Sequence, residues 1–145
     1  MGLTTTRVRL ENVRRPDLAP VDAEALADTG ALHLCIPEHV SLQLSLDEFD
    51  RREVTLADGS RRMVSYVGPL LVTVANRKGL VGAMVLGTEV LLGAIPMEDL
   101  DLVVVPGSRQ VVPNPNNPNV AASIAKGVRP VRPCASRFAH APGER

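Results

Sequence analysis

Asp28, Thr29 and Gly30 place a carboxylate, a hydroxyl and a residue without a side chain in three consecutive positions, between the small apolar run ending in Leu26-Ala27 and a second run from Leu32 to Ile36. A carboxyl group can act as a general base when ionised and as a general acid when protonated. An isolated carboxylate among nonpolar side chains loses its hydration unless something holds it, and such local conflicts mark sites. Gly30 permits a sharp turn with positive φ, and Thr29 offers both a donor and an acceptor beside the carboxylate. Asp28 is therefore expected at the tip of a tight loop between two buried strands. The same tripeptide also makes an ordinary β-turn, since all three are common turn residues.

The elements that must position this loop are legible on both sides. Residues 5–13 alternate apolar and polar from Val8 to Glu11, the period of a strand with one wet face, and Arg14-Arg15-Pro16-Asp17 then breaks it as a solvated turn. From Val21 to Ala27, Val21, Ala23, Ala25 and Ala27 share one strand face, with Leu26 on the other. Ala31 to Ile36 reads as a buried strand interrupted by His33, a partly exposed strand histidine, with Cys35 as a small buried hydrophobe. Pro37 and Glu38 open a short helix with Val40 and Leu44 on one face. The charged residues 47–52 read as a solvated connection.

Alternation in residues 53–64 converges on Asp58-Gly59, which suits a type I′ hairpin turn. Gly68-Pro69 separates this hairpin from the strand of residues 70–75, Asn76-Arg77-Lys78-Gly79 reads as a turn, and residues 80–86 form another strand. Val90-Leu91-Leu92 continues the buried set, residues 93–100 read as a short helix, and residues 103–113 as a terminal hairpin. The Asn/Pro run 114–119 suits no regular structure, and from Lys126 the chain turns Pro-, Arg- and Ala-rich, as expected of a mobile tail.

Composition excludes several functions. Sixteen basic and sixteen acidic residues cancel, which removes the electrostatic footprint of a nucleic-acid binder, and three aromatic residues other than His leave no stacking platform for single strands. No apolar window is long enough to span a membrane, and residues 1–7 lack the apolar centre of a signal peptide, so a cytoplasmic protein is expected. Cys35 and Cys134 with three scattered His make no metal-ligand spacing, so neither metal nor other cofactor is expected. With 145 residues the chain suits one domain whose core is built from Val, Leu, Ile and Ala.

Residues 21–31, ending in Ile36-Pro37, resemble the active-site strand and loop of the retropepsin-like aspartic proteases, single-domain relatives of pepsin found in retroviruses and bacteria. Val90-Leu91-Leu92-Gly93-Ala94 is similar to the apolar-apolar-Gly segment that passes behind the catalytic loop in that family, and the likeness covers roughly residues 4–113. The resemblance implies an all-β, acid-protease-like closed barrel with one or two short helices over residues 1–125, followed by the tail 126–145. It implies Asp28 as the catalytic residue of an aspartic endopeptidase, supported by Thr29, Gly30, Ala31, Leu92 and Gly93. Ala57, Asp58, Gly59 and Ser60 would form the tip of the substrate-covering flap, a tip with less Gly than in viral relatives. Leu32 and Leu34 stand where relatives often carry polar residues. Because the chain holds one Asp-Thr-Gly and the mechanism needs two carboxyls, the resemblance implies a homodimer acting on a peptide or protein, with one Asp28 from each subunit. A non-catalytic dimeric peptide-binding module on the same fold, and a β-domain in which Asp-Thr-Gly is only a turn, are the alternatives.

Overall fold

The computed structural model describes residues 3–127. The expected all-β architecture with two short helices is present. Its strands are β1 (Thr5–Asn12), β2 (Val21–Ala27), β3 (Leu34–Ile36), β4 (Asp47–Thr55), β5 (Arg61–Val74), β6 (Arg77–Val85), β7 (Val90–Leu92), β8 (Leu102–Val105) and β9 (Gln110–Pro113). The helices are α1 (Glu38–Gln43) and α2 (Ala94–Asp99). Strands pair in the order β1-β2-β7-β3-β6-β5, and β1 returns to β5 through Arg9↔Thr73 to Asn12↔Leu70, which closes a six-stranded barrel. β4 lies outside the ring on β5, and β8 and β9 form a separate two-stranded sheet.

Alternation drives the closure. Val8 and Leu10 of β1, Ala25 of β2, Leu34 and Ile36 of β3, and Leu70, Val72 and Val74 of β5 all point inward and are buried, joined by Leu92, Leu100 and Val40. Each such side chain contributes roughly 1.5–3 kcal/mol by leaving water, so the barrel holds without large aromatic residues. Asn12, a buried polar residue, is fully engaged: its Nδ2 donates to the carbonyl of Leu44 at 2.8 Å and its Oδ1 accepts from the Arg14 amide at 2.9 Å. It thereby ties the end of β1 to the end of α1.

Several local expectations are corrected. The charged residues 47–52 are strand, not connection; β4 pairs with β5 alone, and a charged edge resists pairing with other chains. Gly68-Pro69 does not end a strand, because β5 runs through it and absorbs the missing donor in a register irregularity between Val67 and Leu70. The next turn is centred on Ala75 and Asn76, earlier than expected, with Val74 paired to Arg77. Ala31 to His33 are loop, and only Leu34–Ile36 is strand.

The hairpin turn at 56–60 is also of another type. Gly59 alone has positive φ, +85°, its amide donates to the Leu56 carbonyl at 2.9 Å, and the Leu56 amide donates to Ser60 at 2.8 Å. This is the three-residue loop in which Ala57 and Asp58 turn conventionally and Gly59 takes the left-handed position, rather than type I′. Asp58 favours it by accepting from the Ser60 amide, 2.8 Å, and hydroxyl, 2.6 Å. Those same bonds hold its carboxyl below the usual range.

Residues 114–122 carry no helix or strand, yet they are held by Asp101. Its carboxylate accepts from Asn114 Nδ2 at 3.1 Å, Asn117 Nδ2 at 2.9 Å and the Ala122 amide at 3.0 Å, while buried Arg77 donates to the Asn117 carbonyl. The tail expected from Lys126 lies, beyond Gly127, outside the described residues, as does Cys134. No helix among the described residues is long and apolar enough to cross a membrane.

Candidate active site

β2 delivers Asp28. Its last three residues pair in parallel with β7, Ala25↔Val90, Leu26↔Leu91 and Ala27↔Leu92, and the Asp28 amide extends the ladder by donating to the Leu92 carbonyl at 3.0 Å. Beyond Asp28 the chain leaves the sheet. The Ala31 amide donates back to the Asp28 carbonyl at 3.1 Å, closing the turn.

The far side of the loop is fixed by α2. The Ala94 and Ile95 amides, two of the unpaired donors of that helix's first turn, donate to the carbonyls of Ala31 at 2.8 Å and Leu32 at 2.9 Å. These bonds take the acceptors that a longer β3 would have used, which is why residues 31–33 are loop. Gly93 allows the approach. A Cβ there would lie 2.7 Å from the Leu32 carbonyl carbon and would also meet the His33 carbonyl oxygen, a clash of backbone against backbone. Leu92, fully buried, roots this crossing in the core.

Gly30 serves differently from expectation. Its φ is not positive; instead its amide donates to Asp28 Oδ1 at 2.9 Å, and a Cβ at residue 30 would crowd that same oxygen at 3.1 Å. Gly30 therefore orients the carboxylate. Nor is Asp28 desolvated in the single chain: Asp28, Thr29 and Gly30 are all exposed. Leu34 and Ile36 turn inward to the barrel, whereas Leu26, Ala27 and Ala31 are half-buried and Leu32 is exposed with the loop tip.

The arms of the β4–β5 hairpin border the same region. A groove of about 400 Å³ runs between Gly30, Ala31 and Leu32 on the loop side and Arg52, Val54 and Thr55 on β4. A second, of about 360 Å³, joins Leu26, Ala31 and Cys35 to Leu56 and Ala57. Of the expected flap residues, Ala57 thus meets the loop's surroundings, whereas Asp58, Gly59 and Ser60 are exposed at the hairpin tip and border neither groove. Another groove of about 400 Å³, between β2 and α1, contains His39 and none of the loop residues, so it is separate from this arrangement.

His33 is half-buried beside Tyr66, with ring centroids 6.4 Å apart and planes at 69°. Burial, and secondarily the nearby Arg52 charge, lower its pKa, which keeps it neutral at neutral pH. Burial pushes the Cys35 thiol up, which favours its neutral form over the thiolate. Among the described residues no cluster of three or more His, Cys, Asp or Glu is arranged to hold a metal ion.

Two features escaped the sequence reading. Arg52, placed in a solvated connection, stacks on Tyr66 with its Cζ 3.8 Å from the ring centroid. The signal available was the alternation of Arg52, Val54 and Leu56 into a hairpin already recognised. The Asp101 anchor had no such signal, because its partners lie in a segment with no periodicity. No protein-family model matches the chain, and no curated protein matches its sequence.

Proposed function

We propose that the chain is an aspartic endopeptidase that works as a homodimer. The observation that carries this reading is the double tether of the Asp28 loop, by Leu92 on one side and by the start of α2 on the other, which holds an exposed, oriented carboxylate two residues from Gly30, where the loop borders a groove that Asp28 itself does not line. A plain turn needs no such support. Rigidity is what a positioned acid or base requires.

Two copies related by a two-fold axis bring the Asp28 carboxyls together, and like charges that close share one proton. The ionised carboxylate takes a proton from a water lying between the two. The water oxygen bonds to the scissile carbonyl carbon, and the protonated carboxyl delivers its proton to the carbonyl oxygen. As the gem-diol intermediate collapses, one carboxyl gives its proton to the leaving amine, the other carboxylate takes a proton from a gem-diol hydroxyl, the C–N bond breaks, and the pair again holds one proton. Thr29, exposed in one chain, holds the paired loops through its hydroxyl. The substrate lies extended along the groove under the hairpin, bonded through its backbone.

The test is a pepstatin-sensitive cleavage assay on the purified protein with Asp28→Asn as control, alongside sedimentation. Cleavage that survives Asp28→Asn, or full specific activity in a preparation shown to be monomeric, overturns the reading.

A further inference from the structure

We infer that Arg52 selects peptides with an acidic side chain close to the scissile bond, by engaging that carboxylate from the groove beside residues 30–32. The inference rests on the endopeptidase reading of Asp28 for the bond that is cut, and on the following geometry for the selection.

Arg52 lies on the more covered face of β4. Arg52 and Val54 are half-buried where Arg51, Glu53 and Thr55 are exposed, so the guanidinium leans over the groove whose other wall is the catalytic loop. It is not a loose surface cation. Arg52 pairs with Val64, so Tyr66 is its diagonal neighbour on β5, and the guanidinium lies over that ring with its Cζ 3.8 Å from the centroid. Tyr66 is seated in turn: it lies against Gly82, where any Cβ would collide with the ring, and His33 meets its edge. A stacked guanidinium is held in orientation before a ligand arrives, so less side-chain freedom is lost on binding.

Its donors are poorly spent. The ion pair with Asp50, Nε to Oδ2 at 3.6 Å, is longer than a charge-assisted hydrogen bond, and both side chains face solvent, 40% and 62% exposed. A peptide carboxylate can displace that contact with two parallel N–H···O bonds, the geometry to which the guanidinium fork is matched.

The other charged groups nearby do not cancel the effect. Glu53, which also borders the groove, has its carboxylate 3.6 Å from Arg61 on the exposed face. Asp99 lies across a neighbouring groove against Gly79. Burial lowers the His33 pKa, so among the described residues lining this groove Arg52 carries the positive charge.

The experiment profiles cleavage of a proteome-derived peptide library by wild type, Arg52→Gln and Arg52→Glu. It then measures kcat/KM on C-terminally amidated peptides that differ only in Glu or Gln at the enriched position. Wild type should favour Glu by about five- to tenfold, the scale of a partly exposed charge-assisted pair. Arg52→Gln should bring the Glu-to-Gln ratio of kcat/KM down to about one, whatever it does to the rate common to both peptides, and Arg52→Glu should turn the enrichment toward Lys and Arg. Cleavage with no acidic enrichment, or a Glu preference that survives Arg52→Gln, overturns the inference and leaves the protease reading standing. If wild type cuts nothing, fluorescence anisotropy of the same labelled pair decides. Glu-selective binding that Arg52→Gln removes upholds Arg52 while the protease reading falls, and equal binding of both peptides overturns the role of Arg52.

Discussion

The amide of Asp28 donates to the carbonyl of Leu92 at 3.0 Å, so the residue proposed for chemistry is an extension of a parallel ladder whose other strand arrives from far along the chain. This contact uses backbone atoms only. The side chain's own link to the loop is the bond its Oδ1 accepts from the Gly30 amide, so a replacement that keeps an acceptor there need not loosen the loop.

Asp28→Asn is expected to abolish cleavage while preserving the fold, because the amide oxygen can still accept from Gly30 and volume is unchanged. A loss of at least about a thousandfold in kcat is the scale for removing a group that acts as both acid and base. Circular dichroism and sedimentation should show an unchanged dimer, more stable if the like-charge pair was costly.

Thr29→Val removes an exposed hydroxyl that accepts and donates nothing the single chain needs to fold. It should weaken association by about tenfold, the worth of roughly one or two hydrogen bonds. Specific activity should then fall most at low protein concentration and recover as the protein is concentrated. A variant equally impaired at all concentrations would place Thr29 in the chemical step instead.

Gly93→Ala should cost about 2–4 kcal/mol, since its methyl group meets the main chain of Leu32 and His33, which cannot swing aside as a side chain can. Urea titration measures this. Gly87→Ala is the control: nothing lies within 4 Å of its Cβ position, and only the backbone preference at φ +81° opposes it, about 1 kcal/mol.

Asp101 should make stability depend on acid pH. The Ala122 amide, then Asn114, Asn117 and the Arg77 charge, lower its pKa in the folded chain. The folded state thus binds fewer protons than the unfolded one near the ordinary Asp pKa, and stability is fully present above that value. It is lost as pH falls from about 4 through the lowered folded value. Asp101→Asn should lower the melting temperature by a few degrees at pH 7 and flatten this acid limb in a pH series of thermal melts.

Strand alternation in residues 5–13 and 21–27 was enough to place β1 and β2, because one buried face imposes a period of two that survives any tertiary context. Pro37-Glu38 and Gly93-Ala94 likewise marked both helices, and Asp58-Gly59 marked the hairpin, since those residue types restrict the backbone locally. The Asp28-Thr29-Gly30 tripeptide identified where to look for chemistry. What local sequence could not decide was anything that depends on a distant partner. Gly30 was assigned a left-handed turn that it does not make, because its actual constraint is the Asp28 carboxylate. The strand expected over Ala31 to Ile36 lost its first half because α2 claims those carbonyls. Asp28 is exposed rather than desolvated because the chain leaves the sheet after Ala27, and the loop, with Leu32, faces outward. Arg52 reads as one more charge in a charged run until the β4–β5 register sets it over Tyr66. A period or a turn is written in neighbouring residues, but a hydrogen-bond acceptor, a stacking face or a clash is supplied by whichever segment the closed barrel brings alongside.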